Sequence, residues 1–279
     1  MITTCPCGSG EWEARAIAVG ASMRQCRACG LLAPLERPDG RKLLAWYETD
    51  YWKKYRKEQT GTDRGNLYAH VLAWLERLSS RRGIVLDIGC GGGAFLSLCQ
   101  MNGWKAMGVE LSRDAATHAR RRGFKVYRQA WPVTTLADES VDAVTFINVL
   151  DHLIDPFEAL REAARVLKPD GLLYLRVLNA PVHARLKQLL ARVGLKDVAV
   201  LHLYGFGRRT FSVLLPRMGF TPIAVRTSPP AQGCAYRHES VLRAWGYSLL
   251  KLADRALYWV SQVVGLDHLG WGASLEVMA

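Results

Sequence analysis

The chain has 279 residues, 49% of them hydrophobic, seven cysteines and a formal net charge of +12. That length supplies one large α/β core with a small appendage. The odd and unevenly placed cysteines exclude a disulfide framework, and no uncharged apolar stretch reaches the roughly 18 residues needed to span a bilayer. The basic residues are scattered in short groups that attract anions in general and specify no partner.

The opening stretch, MITTCPCGSG, has no basic segment ahead of an apolar one. It does not read as a secretory signal, and the expected location is the reducing cytoplasm. Residues 5–38 are rich in Gly and Cys and poor in apolar periodicity, so they need a staple other than a core. Cys5-Pro6-Cys7-Gly8 and Cys26-Arg27-Ala28-Cys29-Gly30 are two cysteine pairs about one hairpin apart. Four thiolates from two turns can surround a zinc ion tetrahedrally, which predicts a zinc-ribbon-like module over residues 1–38 held by Cys5, Cys7, Cys26 and Cys29. Redox thiols, or no metal at all, are the alternatives, because the first pair is one residue shorter than the common C-x-x-C. Four cysteine ligands leave no open position, so the metal is assigned no catalytic role. Cys90, Cys99 and Cys234 read as small buried residues or loop positions.

Arg37-Pro38-Asp39-Gly40 reads as a turn. Residues 39–83 then form a helical linker or lid, first with Trp46, Tyr47, Tyr51, Trp52 and Tyr55 crowded among lysines, then with Leu67, Val71, Trp74, Leu75 and Leu78 at helical spacing. From Ile84 to the C-terminus the pattern changes to short apolar runs alternating with helical stretches. Strands are predicted at 84–88, 106–109, 125–127, 144–149 and 172–178, with weaker candidates at 223–225 and 274–278. The expected fold is therefore α/β: a Rossmann-like, doubly wound, mostly parallel seven-stranded sheet with the small N-terminal module beside it. Arg120, Arg121 and Arg122 precede Gly123 at an expected helix C-terminus, where cations complement the dipole. Asp155-Pro156-Phe157-Glu158 opens a helix with an N-cap and a first-turn Pro, and Lys168-Pro169-Asp170-Gly171 ends it. A helical insertion is expected at about 239–266. Leu242, Trp245, Leu249, Leu252, Ala256, Val260 and Val263 fall there at helical spacing. Packing on the core is one use of that face; a lid, or a peripheral contact with a membrane surface through 239–264, is the other.

The most informative stretch is Val85-Leu86-Asp87-Ile88-Gly89-Cys90-Gly91-Gly92-Gly93-Ala94-Phe95-Leu96. A strand runs into a glycine turn and then a helix, so the backbone can pass close to a ligand at the carboxyl edge of the sheet. Asp87 precedes the glycines, where a carboxylate suits a ligand bearing an ammonium group. Glu110 ends the next strand about one βα unit later, where an acid can accept both hydroxyls of a ribose.

The segments VLDIGCGGGAFL, GVELS, DAVTFINVLDHLIDPFEALREAARVLKPDGLLYLRVLN and HLYGFGRRTFSVLLPRMGF resemble, in order and interval, the motifs of class I methyltransferases that use S-adenosylmethionine (SAM). The similarity is to small-molecule enzymes of the ubiquinone and sugar type, including a subgroup with an N-terminal cysteine knuckle. The resemblance implies that Asp87, Gly89, Cys90 and Gly91 surround the methionine part of SAM, Glu110 its ribose and Leu111 its adenine. Many relatives carry an acid after the third strand that meets the adenine amine. This chain has Tyr127-Arg128-Gln129-Ala130-Trp131 there, which leaves Gln129 to hydrogen-bond the base or Trp131 to pack on it.

SAM carries an activated methyl, so an enzyme of this class aligns a nucleophile and, for a hydroxyl or carbon acid, removes its proton. Asn148, Asp151 and His152 follow the fourth strand at the carboxyl edge. His202 and Tyr204 match a family segment that faces the acceptor. The expected assignment is His202 as base, His152 as a positioning or alternative base group, and Tyr204 as the residue orienting the acceptor; the plainer alternative makes both histidines structural. Enzymes acting on base amines of nucleic acid use an Asn- or Asp-Pro-Pro-aromatic turn after the fourth strand. Asn148-Val149-Leu150-Asp151 departs from it, so a nucleic-acid acceptor is disfavoured. An oxygen, nitrogen or carbon of a small-molecule, sugar or lipid-like acceptor remains, against a non-enzymatic reading as a nucleic-acid- or protein-binding module on an inactive fold.

Overall fold

Strands β1 (Trp12–Ala16), β2 (Ser22–Cys26) and β3 (Leu32–Pro34) make a small antiparallel sheet in that order. The tight turn between β2 and β3 uses Gly30 at φ +77, a left-handed conformation that glycine adopts without strain. The computed structural model describes residues 4–16, 22–36, 39–60, 64–133, 135–192, 202–230 and 241–279. Cys234, the Arg37-Pro38 turn and residues 239–240 of the expected insertion lie outside the described residues.

Helix α1 (Gly40–Thr49) starts at Asp39, whose side chain accepts from the N–H groups of Arg41 and Lys42. It is followed by α2 (Tyr51–Thr60) and α3 (Gly65–Leu78), so the aromatic stretch at 46–55 is divided between two helices at Asp50. Helix α3 buries Leu67, Val71, Trp74 and Leu75 of the apolar face read from the sequence, whereas Leu78 in its last turn is exposed and Leu72 is buried as well.

The main sheet follows as β4 (Ile84–Ile88), α4 (Ala94–Met101), β5 (Lys105–Val109), α5 (Arg113–Arg121), β6 (Lys125–Tyr127), β7 (Val141–Ile147), α6 (Pro156–Val166), β8 (Leu167–Leu178), α7 (Ala180–Arg192), α8 (Arg208–Arg217), β9 (Ala224–Thr227), α9 (Val241–Val263) and β10 (Ser274–Met278). Its order is β6-β5-β4-β7-β8-β10-β9. β10 runs antiparallel to both neighbours and the other pairs are parallel. This is the expected Rossmann-like, mostly parallel, seven-stranded sheet. The strand order reverses between β4 and β7, and in such sheets a ligand crevice opens there, at the carboxyl ends of the strands.

Strand ends shift by one or two residues at β5, β9 and the end of β7, and two starts differ by more. β7 begins at Val141 and β8 at Leu167, because those residues pair with each other below a register irregularity between Val141 and Ala143. The Lys168-Pro169-Asp170-Gly171 turn is thereby drawn into the strand, with Asp170 at φ +63. A turn signal of Pro and Gly does not reveal that the residue before it already has a strand partner.

The cysteine segment closes over the main core rather than enclosing one of its own. Cys5, Cys7, Cys26, Cys29, Leu31 and Ala33 belong to the same buried cluster as Tyr204, Phe206, Phe211 and Leu214. The expected insertion is a single helix, α9, whose side chains are described at Ser248 and from Lys251 onward. Leu252, Leu257, Trp259, Val260 and Val263 on it are 50 to 82% exposed. Among the described residues no helix is long and apolar enough to cross a membrane.

Candidate functional site

β4 delivers the chain into the glycine turn at the switch point. Gly89, Gly91 and Gly93 all have positive φ, and a Cβ on Gly89 would lie 2.6 Å from Val149 Cγ2, so the turn fits against the loop after β7 because residue 89 lacks a side chain. The turn is clamped from β5. Val109 O accepts from the N–H groups of Gly89 and Cys90, and the Glu110 carboxylate accepts from Gly91 N at 2.8 Å and Ser112 N at 2.7 Å. Burial raises the Glu110 carboxyl above its usual range, against the lowering effect of these two N–H groups. Each of its oxygens retains a lone pair for a further donor.

Beyond Glu110 lies a cavity of about 260 Å³. Gly89, Glu110, Leu111, Gln129, Trp131 and Asn148 line it together with Tyr47, Tyr51 and His152. Three of the expected cofactor residues are not in its lining. Asp87 is buried beneath the turn, accepting from Thr145 Oγ1 at 2.6 Å, and desolvation lifts its carboxyl to about 7. The Cys90 thiol is packed with Leu96, Ala116 and Phe124, and burial raises it well above the ordinary thiol range. It is an inert core side chain whose backbone alone belongs to the turn. Gly91 contributes the N–H that Glu110 accepts. Trp131 spends its indole N–H on Ala159 O at 3.0 Å and meets Phe146 edge-on, so its ring is held from two directions. Gln129 is exposed, with its amide nitrogen 3.4 Å from Pro132 O.

Asn148 follows β7 in a left-handed conformation, φ +59. Its Oδ1 accepts from Arg176 Nη1, and Arg176 is itself buried and bonded to Ser228 Oγ and Pro229 O. With Oδ1 engaged, the amide N–H₂ of Asn148 is the end left for other partners. Sequence reasoning missed Arg176, which lies mid-strand in an otherwise apolar run; a charge in a strand buried on both faces is the signal that marks it.

Next along the chain, Leu150–His152 form one 3-10 turn. Asp151 is 2% exposed and pairs with His202 Nδ1 at 2.8 Å. Burial alone would raise its carboxyl, but the adjacent His202 brings it below the ordinary range. Its other oxygen, Oδ1, has no hydrogen-bond partner among the described residues. The His152 and His202 rings lie face to face, centroids 3.7 Å apart and tilted by 33°. Burial and then the neighbouring His202 push His152 down to about 4. On its cavity side, His152 Nδ1 is 2.6 Å from the hydroxyl of Tyr47 on α1. Asp151, His152 and His202 together offer donor atoms within 4.8 Å of one another, a set compatible in kind with a divalent cation as well as with proton transfer. His152 lines the cavity and His202 lies one layer behind it. Tyr204 is 4% exposed, its hydroxyl donating to Ile154 O at 3.2 Å and its ring meeting Phe157. It therefore braces the loop after β7 and is not among the residues lining the cavity.

The four N-terminal thiols form a second cluster. Cys5 and Cys29 sulfurs are 3.6 Å apart, those of Cys7 and Cys26 are 3.5 Å apart, and all four lie within 4.8 Å. A tetrahedron with metal–sulfur bonds of about 2.3 Å has edges of about 3.8 Å, so the buried cage fits a zinc ion. Contact with Cys5 draws Cys29 down to about 5 and pushes Cys5 up in return.

A glycine turn clamped by a buried acid, at the switch point of a seven-stranded sheet with an antiparallel last strand, defines a Rossmann-like domain of the methyltransferase type. Residues 61–225 match the family model for a methyltransferase domain, and the chain belongs to that family. It is 34% identical over 114 residues to the ubiquinone biosynthesis O-methyltransferase of Idiomarina loihiensis, covering 38% of this chain and 47% of that protein. To its counterpart in Caulobacter vibrioides it is 35% identical over 121 residues, 41% of this chain and 47% of the relative. The chain thus spans about half the length of the curated relatives it matches. A SAM-dependent methyltransferase of Archaeoglobus fulgidus has the same fold, with a TM-score of 0.52 at 19% identity over 82% of this chain and 99% of that one.

Proposed function

We propose that the protein transfers the methyl group of SAM to a small-molecule, sugar or lipid-like acceptor, with an oxygen acceptor favoured by the naming of its relatives as O-methyltransferases. The observation that carries this reading is one cavity whose lining holds Gly89 and Glu110 of the glycine cradle together with His152, which is backed by Asp151 and His202. SAM supplies an activated methyl on its sulfonium. This chain's residues do the rest. The glycine turn at Gly89, with the Asp87 carboxylate buried beneath it, borders the methionine part. Glu110 accepts the ribose hydroxyls, Leu111, Gln129 and Trp131 receive the adenine, and Asn148 orients its amide toward the reacting end. His152 with Tyr47 forms the wall the acceptor meets, and His202, held by Asp151 behind that wall, is assigned the acceptor's proton, which reaches it by way of His152. Cys5, Cys7, Cys26 and Cys29 hold a structural zinc.

The reading is tested by calorimetric titration with S-adenosylhomocysteine (SAH). Glu110→Ala should weaken binding by roughly 1–3 kcal/mol, the cost of leaving buried polar partners unsatisfied; an unchanged affinity removes Glu110 from the site. The same titration should depend on pH through Asp87. An ammonium group beside that carboxylate stabilises its ionised form, so the bound-state pKa falls below the free value of about 7. Affinity from this pair is therefore complete above pH 7 and is lost as pH falls below it. A screen of acceptors with labelled SAM then identifies the acceptor.

For a lipid-like acceptor, α9 is the proposed contact with the membrane surface. Its exposed Leu252, Leu257, Trp259, Val260 and Val263 with Lys251 and Arg255 suit an interface rich in anionic lipid. Flotation with vesicles containing anionic lipid should carry the protein upward, and Trp259→Ser should reduce the bound fraction. Protein that stays at the bottom of the gradient removes the membrane from this reading.

A further inference from the structure

The cysteine knuckle is bonded to the segment that carries His202. Leu32 N donates to Gly205 O and Gly205 N donates to Leu32 O, both at 2.9 Å, an antiparallel bridge outside either sheet. Three residues earlier, the carbonyl of Cys29, one of the four cage residues, accepts from Thr210 Oγ1 at 3.0 Å. That hydroxyl also accepts from Gly207 N at 3.2 Å. A Cβ on Gly205 would lie 2.7 Å from Ala180 Cβ and 3.0 Å from Leu32 Cβ, so knuckle and segment approach at a distance that a side chain there would forbid. From the opposite side the same segment grips the 3-10 turn. Tyr204 N donates to Asp151 O at 3.2 Å, and the His202 ring meets the Asp151 carboxylate at 2.8 Å. Residues 202–207 are thus a single layer between the cage and the turn.

We infer that the cysteine knuckle is a positioning part of the candidate active site: with its thiolates gathered on a metal, it holds residues 202–207 so that His202 stays registered on Asp151. The inference rests on the reading of that pair as the proton acceptor, but it concerns the pair's geometry, which is measurable without an acceptor. The cofactor end has separate support, since the glycine turn is clamped by Val109 and Glu110 from β5. Loss of metal should therefore divide the site, loosening the histidine end and sparing the cradle. A module serving stability alone would either change nothing near Asp151 or weaken both ends together.

The experiment uses the zinc-loaded protein with ¹⁵N-labelled histidine and tyrosine, before and after removal of zinc by a chelator. In the loaded protein the His202 Nδ1 proton should appear at low field, as expected for a hydrogen bond to a buried carboxylate. Chelation should abolish that signal and speed exchange of the Tyr204 amide about tenfold, the scale of one lost hydrogen bond, while SAH affinity is unchanged. Gly205→Ala, which forces the two layers apart, should reproduce both effects with zinc still bound; if that variant does not fold, the chelation arm decides alone. The inference is overturned if the low-field proton and the Tyr204 amide survive chelation, if SAH affinity falls in step with them, or if the native protein carries no metal. Failure of His202→Ala to slow turnover would instead overturn the proton-acceptor reading and leave these signals as they are.

Discussion

Replacing His202 by alanine lowers turnover of the acceptor identified by the labelled-SAM screen by about 10²–10⁴, the usual worth of a general base, and leaves SAM affinity close to native. The reason lies in the different surroundings of two stacked imidazoles. Burial pushes His152 down to about 4, so it is neutral at physiological pH and a weak base, whereas efficient base catalysis needs a pKa near the working pH. His202 instead has a buried, ionised carboxylate on Nδ1, which fixes that nitrogen as the N–H and leaves Nε2 as the basic atom. His152 stands at the cavity wall with its Nδ1 on Tyr47, placed to pass or orient a proton rather than to keep it. His152→Ala should accordingly cost less than His202→Ala. SAM affinity is spared in both because the glycine turn and Glu110 are anchored on β4 and β5. Turnover that persists in both single variants and in the double variant would leave alignment of the acceptor, not proton removal, as the source of rate.

The parts of the molecule that were legible in the sequence are those governed by local rules. The strand, glycine turn and helix from Val85 to Leu96, and Glu110 at the end of the next strand, are neighbours along one βα unit, so spacing alone places them together. The strands at 84–88, 125–127 and 274–278 stand where apolar runs put them. The paired cysteines meet because two tight turns close a short hairpin. What local pattern does not carry is contact between distant elements. Tyr47 and His152 are 105 residues apart, and nothing in the aromatic run at 46–55 marks Tyr47 and Tyr51 as lining the cavity, since both also pack on their neighbours in the run. Tyr204 stood one position from the cage bridge and two from His202, but its burial against Phe157 follows from tertiary packing alone. The cysteine segment reads as a separate appendage because its own periodicity is poor, and the reason is physical: its apolar side chains complete another element's core.

Glu276→Ala should destabilise the fold by about 3–5 kcal/mol, the cost of breaking a buried ion pair by removing one partner. Glu276 is fully buried in β10, between β8 and β9. Its carboxylate accepts from Tyr174 at 3.0 Å and from Arg226 Nε at 2.8 Å, and His70 Nε2 lies 3.0 Å from both of its oxygens. The Arg226 guanidinium is also stacked 3.8 Å above the Trp74 ring, so α3, β8, β9 and β10 converge on this one carboxylate. Alanine would leave the buried Tyr174 hydroxyl without its acceptor and the Arg226 guanidinium, 21% exposed, with only the 4.0 Å approach of Asp267, and would open a cavity beside Trp74. Because β10 alone joins β9 to the sheet, the weakened strand also loosens the Ser228 and Pro229 contacts that hold Arg176 beneath Asn148. Glu276→Gln keeps the volume and one acceptor and should cost clearly less. Urea denaturation of the three proteins compares their midpoints directly, with the slope serving as a check that the transition keeps its character. Equal midpoints for Glu276→Ala and the native protein would mean that the four elements are held by apolar packing alone and that the carboxylate is dispensable to the fold.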